Sequence, residues 1–257
     1  AAYLNVPVEY ENSIGMKLVV IPPGEFMMGS PDTERGHKPI EIQHYVKLTQ
    51  PFYLGIHEVT QEHYRQLMRS NPSTFKGVAM PVGDVLWKDC VEFCRRLSQL
   101  PAEVNAGRVY RLPTEAEWEY SCRAGTVTLH SNGSTVDELE AVTWYKKNAK
   151  MVNHPVGLKK PNAWGLFDMH GNVEEWSWDG FREYTLGSVD IDPRGSMDGT
   201  SPRVIRGGGA GGDWGSPFED CRSAHRHVRK VDDPGTILGF RVVCELHLSE
   251  KRPSVAQ

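Results

Sequence analysis

His225 and His227 stand two residues apart in Cys221-Arg222-Ser223-Ala224-His225-Arg226-His227, with Asp220 just before this stretch and Asp213 further upstream. On an extended strand, residues i and i+2 point to one face, so both imidazoles could meet one ion or one ligand. A metal would need further donors, and Asp213 and Asp220 are the ones this neighbourhood offers. The arginines around them, Arg222, Arg226 and Arg229, fit a solvated or hydrogen-bonded rim as well. Two histidines without a third ligand at a fixed spacing favour that second reading. His154 and His170 lie in turn-forming segments and read as structural donors.

The run Gly207-Gly208-Gly209-Ala210-Gly211-Gly212 has the composition of a phosphate cradle, but no Lys-Ser or Lys-Thr opening a helix follows it. It reads as a flexible loop. No Gly-Xaa-Ser-Xaa-Gly elbow and no His-Glu-Xaa-Xaa-His pair occurs, so serine-hydrolase and zinc-protease chemistry have no residues to run on.

The elements that must position these residues can be read from pattern. Met16 to Met28 alternates around Pro22-Pro23-Gly24, which predicts a strand, a turn and a second strand forming a hairpin. Ser30 to Ile40 is polar and rich in breakers, an exposed loop before the apolar stretch Phe52 to Ile56. Thr60 is placed to cap a helix reaching Arg69, with Glu62 in the first turn where the helix dipole favours negative charge. Trp87, Cys90, Val91, Cys94 and Leu97 recur at helical spacing and predict an amphipathic helix with that face buried. Thr114 and Glu117 form a capping box that starts a third helix. Beyond Cys122 no helical period is sustained, and only short strands such as Arg203 to Ile205 and Gly239 to Val243 are expected among loops.

Composition bounds the rest. With 257 residues, 39% of them hydrophobic, the chain can bury one large core, and a single domain over residues 1–257 is expected. The formal charge of -4 comes from 33 acidic and 29 basic residues spread along the sequence, so no basic field exists to hold nucleic acid. No apolar run approaches the roughly 18 to 20 residues needed to cross a bilayer, and Ala1-Ala2-Tyr3 opens no export signal. The expectation is a soluble protein, cytoplasmic or exported after loss of a leader. Its 25 glycines, 17 prolines, 7 tryptophans and 9 tyrosines describe irregular backbone packed on aromatic anchors. Five cysteines leave at least one thiol without a partner in the chain.

Six segments follow one another in order: VVIPPGEFMMGS (19–30), HEVTQEHY (57–64), YRLPTEAEWEYSCRAG (110–125), PNAWGLFDMHGNVEEW (161–176), RVIRGG (203–208) and LGFRVV (238–243). Together they resemble the formylglycine-generating enzyme (sulfatase-modifying factor) family over about residues 14–243. The resemblance implies that family's variant of the C-type-lectin-like fold, an α+β domain with little regular structure. It also implies a copper ion held by two cysteines after the RGG turn, the thiolate pair suited to Cu(I). Here the first position falls on Gly212 or Asp213 and the second on Pro217 or Phe218, none of them sulfur. A copper-dependent oxidation of cysteine is therefore not expected.

Three further expectations rest on the resemblance. Asn172, Val173 and Glu175 match the segment where family members hold a structural calcium ion with side-chain and backbone oxygens; within it, the family's usual tryptophan is replaced by Glu174. Cys122 and Cys221 match a family disulfide, expected as a bridge in an oxidising compartment and as a close thiol pair otherwise, and Cys90 or Cys94 could approach Cys244 in a second. The groove between Arg206 and Gly239 would bind a peptide, a protein segment or a small molecule through Trp214, Phe218, His225, Arg226, His227 and Arg229, residue types that anchor interfaces. A diverged oxygen-dependent oxidoreductase acting on another substrate and a lectin-like ligand-display protein are the alternatives.

Overall fold

The computed structural model describes residues 4, 6–196, 198–211, 215–235 and 237–246. Three sheets carry the chain. The first has five strands, all antiparallel, in the order β1 (Glu9–Glu11), β2 (Lys17–Ile21), β5 (Phe52–Gly55), β12 (Val243–Glu245) and β6 (Tyr110–Arg111). The second is ordered β10 (Arg226–Arg229), β9 (Arg203–Arg206), β7 (Glu174–Gly180) and β11 (Leu238–Gly239), with β11 parallel to β7. The third joins β3 (Gly24–Met28), β4 (His44–Leu48) and β8 (Val189–Ile191). Among the described residues, short strands, five α-helices of 5 to 12 residues and long connections make this the loop-rich α+β architecture expected from the sequence.

The expected hairpin over Met16 to Met28 is not formed. Both strands exist, but β2 pairs with β1 and β5 while β3 pairs with β4 in another sheet. Pro22 and Pro23 between them offer no N–H to a ladder, so the chain crosses from one sheet to the next there. The strand expected from Gly239 to Val243 is likewise split. Gly239 closes β11, Val243 opens β12, and between them Phe240 O accepts from Val59 N.

The helices follow their caps. In α1 (Gln61–Met68) Thr60 accepts from His63 N and Arg69 ends the helix in the left-handed region. In α2 (Trp87–Ser98) Cys90, Phe93, Cys94 and Leu97 are buried. A short α3 (Pro101–Asn105) follows, with proline at its start. In α4 (Glu115–Arg123) Thr114 N donates to Glu117 Oε2 at 2.8 Å and Glu117 N to Thr114 Oγ1 at 3.1 Å. The sequence reading missed α5 (Val136–Val142), although Thr135 and Glu138 form a second capping box.

Every residue of α4 is buried, its three glutamates included. Each carboxylate has a cation: Glu115 has Arg226 and Arg206, Glu117 has Arg111, and Glu119 has Arg123 and Arg206. A helix sunk among the sheets is thus held by ion pairs as well as by the packing of Trp118 and Cys122.

The glycine run is not a loose loop. Residues 207–211 are all buried. Gly209 and Ser216 exchange bonds, Gly209 N to Ser216 Oγ at 3.0 Å and Ser216 N to Gly209 O at 2.8 Å. A Cβ on Gly208 would lie 2.8 Å from Cys221 Sγ and 2.9 Å from His170 O, so the absence of a side chain is what lets the layers close. Gly208→Ala is expected to cost about 1–3 kcal/mol of stability in urea unfolding. A loss below about 0.5 kcal/mol, the range of indifferent surface changes, would mean that the run yields freely.

The five cysteines are all free and buried. Cys122 and Cys221 are thus unbridged thiols here, the reduced alternative of that expectation. The Cys122 thiol lies 3.7 Å from the His170 ring, whose Nδ1 in turn stands 2.8 Å from Cys221 O, while the Cys221 thiol donates to Pro217 O at 3.4 Å. The His170 ring thus touches the Cys122 thiol and the Cys221 backbone, while the Cys221 thiol is bonded elsewhere. Cys90, Cys94 and Cys244 share one apolar cluster and are unbridged too. No helix among the described residues is long and apolar enough to cross a membrane.

Candidate ligand-binding cavity

A cavity of about 490 Å³ opens between the second sheet and the turn that leaves the glycine run. Its walls include Glu174, Pro217, Asp220, His225, His227 and Arg229. The construction of this wall starts in the core. Arg206, fully buried at the end of β9, donates through Nη1 to Ser223 O at 3.1 Å and His225 O at 2.9 Å, while its other nitrogens face Glu119 and Glu115. That clamp fixes the backbone on which His225 sits. Strand β10 then carries His227 and Arg229 to the rim, and Lys38 arrives from the 30–40 loop.

This loop is only partly exposed, contrary to the sequence expectation. Ser30 is buried and donates to Glu41 Oε2 at 2.8 Å, and Arg222 grips Glu41 with both Nη atoms at 2.8 Å. Burial by itself would raise the Glu41 carboxyl, but bonds from His225, Arg222 and Ser30 bring it down to about 2. Glu41 is thus a fixed anion behind His225, whose Nδ1 lies 3.7 Å from it and 3.6 Å from Asp220. Even so, burial holds the pKa values of His225 and His227 below the usual imidazole range.

Glu174 is the unusual member. It begins β7, its side chain is 14% exposed, and its nearest cation, Arg229 Nη2, stands at 4.0 Å. Burial pushes this carboxyl up to about 7. The other charges in the cavity are already matched: Lys38 with Asp220 at 2.8 Å and Arg229 with Asp233 at 2.9 Å.

Of the six contact residues expected from sequence, His225, His227 and Arg229 line this cavity. Two do not. Arg226 turns into the core, where Nε and Nη2 each bond Glu115 at 2.8 Å and the guanidinium lies 3.8 Å from the Tyr184 ring centre. Phe218 packs on His130, with ring centres 4.8 Å apart and Arg35 over its face. Trp214 lies outside the described residues, as do Asp213 and Gly212. Sequence reasoning did not assign Lys38, Glu174, Pro217, Asp220 or Ile237 to the ligand-contact set. For Glu174 a signal existed, the replacement of a family tryptophan by a charge.

The side-chain oxygens of Asn172 and Glu175, expected to hold calcium, have protein donors. Asn172 Oδ1 accepts from His154 N at 2.9 Å and Nδ2 donates to His154 O at 3.1 Å. Glu175 accepts from Arg241 Nη2 at 2.6 Å and from Trp118 Nε1 at 2.9 Å. Val173 is buried, and the oxygen it would offer a cation is its backbone carbonyl. Among the described residues no three His, Cys, Asp or Glu side chains are arranged to hold a metal ion, so His225 and His227 do not gain their third ligand.

A second cavity, about 420 Å³, lies between Leu48, Phe52, Arg111 and Arg194. Arg111 there is committed to Glu117 at 2.7 Å and Glu245 at 2.9 Å, and none of the residues expected to bind a ligand reaches it.

The chain is similar to known proteins along most of its length. The family model of the sulfatase-modifying factor enzyme 1-like domain matches residues 6–246. The chain is similar to the formylglycine-generating enzyme of Mycobacterium tuberculosis, at 32% identity over 64% of this chain and 57% of that one. It is also similar to the chaperone protein LppX of Paenibacillus barcinonensis, at 32% identity over 50% of this chain and 62% of the relative. Both curated relatives are thus spanned over less than two thirds of their length. Among solved structures, Treponema denticola variable protein 1 superposes with a TM-score of 0.83 at 28% identity, covering 94% of this chain and all of that one.

Proposed function

The chain belongs to the sulfatase-modifying factor enzyme 1-like family, and from that membership we propose that it is a ligand-binding member that does not make formylglycine, taking a peptide or other ligand in the cavity between β7, β10 and the Pro217 turn. One observation carries the reading. Pro217, a position the resemblance assigns to the second copper thiolate, lines the cavity, and no cysteine does. Cys221 is four residues on and fully buried, and burial raises its thiol pKa far above the usual range. Copper(I) asks for soft thiolates, and the residues here do not fit it.

What the cavity does offer is a binding surface: an apolar side at Pro217 and Ile237, and polar groups at Glu174, His225 and His227. A lectin-like display role would use the same surface and also predicts binding without turnover. A diverged oxidoreductase would predict turnover of another substrate.

The decisive experiment incubates copper-loaded protein with a cysteine-containing sulfatase-motif peptide and follows aldehyde formation, while a peptide library is screened by the ring resonances of His225 and His227. No aldehyde, with library members that shift both rings saturably, is expected. Copper-dependent conversion of the cysteine would overturn the proposal, and so would a library that leaves both rings unmoved.

A further inference from the structure

Among the described residues no side chain hydrogen-bonds the carboxyl group of Glu174. Its backbone is fixed, Glu174 N donating to Ile237 O at 3.0 Å, but among the described residues no donor lies within hydrogen-bond distance of its side-chain oxygens. A carboxylate so nearly buried without a donor is costly, because it has given up water and received nothing in exchange. Arg229 is the obvious candidate to satisfy it, yet its Nη1 is drawn to Asp233 at 2.9 Å and its Nη2 remains 4.0 Å away. Lys38 is spent on Asp220, and His225 and His227 are neutral near pH 7 because burial lowers both. Among the described residues the cavity therefore presents one uncommitted carboxyl group, which burial raises to about 7 so that it ionises near neutral pH, beside the apolar side chains of Pro217 and Ile237.

We propose that this cavity selects a ligand bearing a cationic nitrogen, an alkylammonium or guanidinium, which pairs with Glu174 while its carbon chain lies against Pro217 and Ile237. The assignment rests on the ligand-binding reading above and narrows it to a charge class. A cation entering here would give Glu174 the donors it lacks, and the attraction would be little screened because the group is mostly shut off from solvent. Anionic ligands would meet an unpaired carboxylate and be rejected.

Three probes of similar size separate the possibilities: agmatine, valeramide and valerate, titrated into the protein while the ring resonances of His225 and His227 are followed. Agmatine is expected to shift both rings saturably, and valerate is expected to do nothing. Glu174→Gln, which keeps the shape, should weaken agmatine at least tenfold while the rest of the spectrum stays native. Asp233→Asn should weaken it as well, since Asp233 is 51% exposed at its side chain and its loss releases Arg229 to neutralise Glu174. If valeramide or valerate shifts the rings as well as agmatine does, the charge assignment falls and the binding cavity stands. If none of the three shifts them, the charge assignment falls, and the peptide screen alone then decides the cavity. An undiminished agmatine affinity in folded Glu174→Gln would likewise overturn the proposal.

Discussion

Replacing Arg206 by methionine is expected to cost about 3–5 kcal/mol, toward the lower end of that range, and to loosen the cavity at the same time. Arg206 is 0% exposed and stands 2.6 Å from Glu119 Oε2 and 3.1 Å from Glu115 Oε1. Removing one partner of a buried ion pair strands the other in a medium that cannot solvate it. The loss is moderated because Glu115 keeps Arg226 and Glu119 keeps Arg123. What nothing replaces is the clamp on Ser223 O and His225 O, two carbonyls that lose their guanidinium donor. Urea unfolding should show the stability loss, and the His225 resonance should move or broaden in the folded variant at low denaturant. A variant as stable as the parent, with that resonance unmoved, would show that Arg206 neither pays for its own burial nor positions the site.

Arg241→Met should be comparably severe, with a pH dependence that identifies its cause. Arg241 bonds Glu175 at 2.6 and 2.7 Å and also donates to Gly55 O and Phe167 O. Two further carboxyls feel its charge. Burial raises Glu58 well above its usual value, with Asp168 adding to the rise, and burial raises Asp168 to about 6; in both cases Arg241 holds the rise down. Without Arg241 both would rise further. The sign follows from linkage. A carboxyl whose pKa is higher folded than unfolded contributes stability that is fully present below the unfolded value and is lost as pH rises through the folded value. The variant's deficit should therefore be largest near pH 8, about 3–5 kcal/mol, and smaller by at least about 1 kcal/mol near pH 5. Unfolding curves for both proteins at the two pH values test this. Equal deficits would assign the cost to lost packing rather than to uncompensated charge.

The sequence was most legible where the signal is local. The Thr60 cap, the apolar stripe through Cys90, Cys94 and Leu97, and the Thr114 to Glu117 box each lie within a few turns of chain, and each helix formed where its cap or stripe placed it. The same kind of signal was present and unread at Thr135 to Glu138. Strand pairing was less legible. Alternation marked β2 and β3 as strands but could not say that each would pair elsewhere, because pairing is settled by partners far along the chain.

Six ordered segments were enough to place the chain in its family, because each carries the turns and caps that one architecture requires. The candidate site was only half legible, and the segment from Arg222 to Arg229 shows why. Its composition announced four charged or titratable contacts from 225 on, and alternation put His225 and His227 on one face, yet nothing local said which arginines would be spent inside. Arg222 turned inward to Glu41, 181 residues away, and Arg226 to Glu115, 111 residues away. A buried guanidinium goes where its carboxylate waits, and that location exists only once the sheets have closed. Sequence thus determined the family, the helices α1, α2 and α4, and the missing thiolates. Tertiary structure decided which charges cancel in the core and which one, Glu174, is left facing an open cavity, because burial and pairing are properties of the assembled neighbours and not of the residue itself.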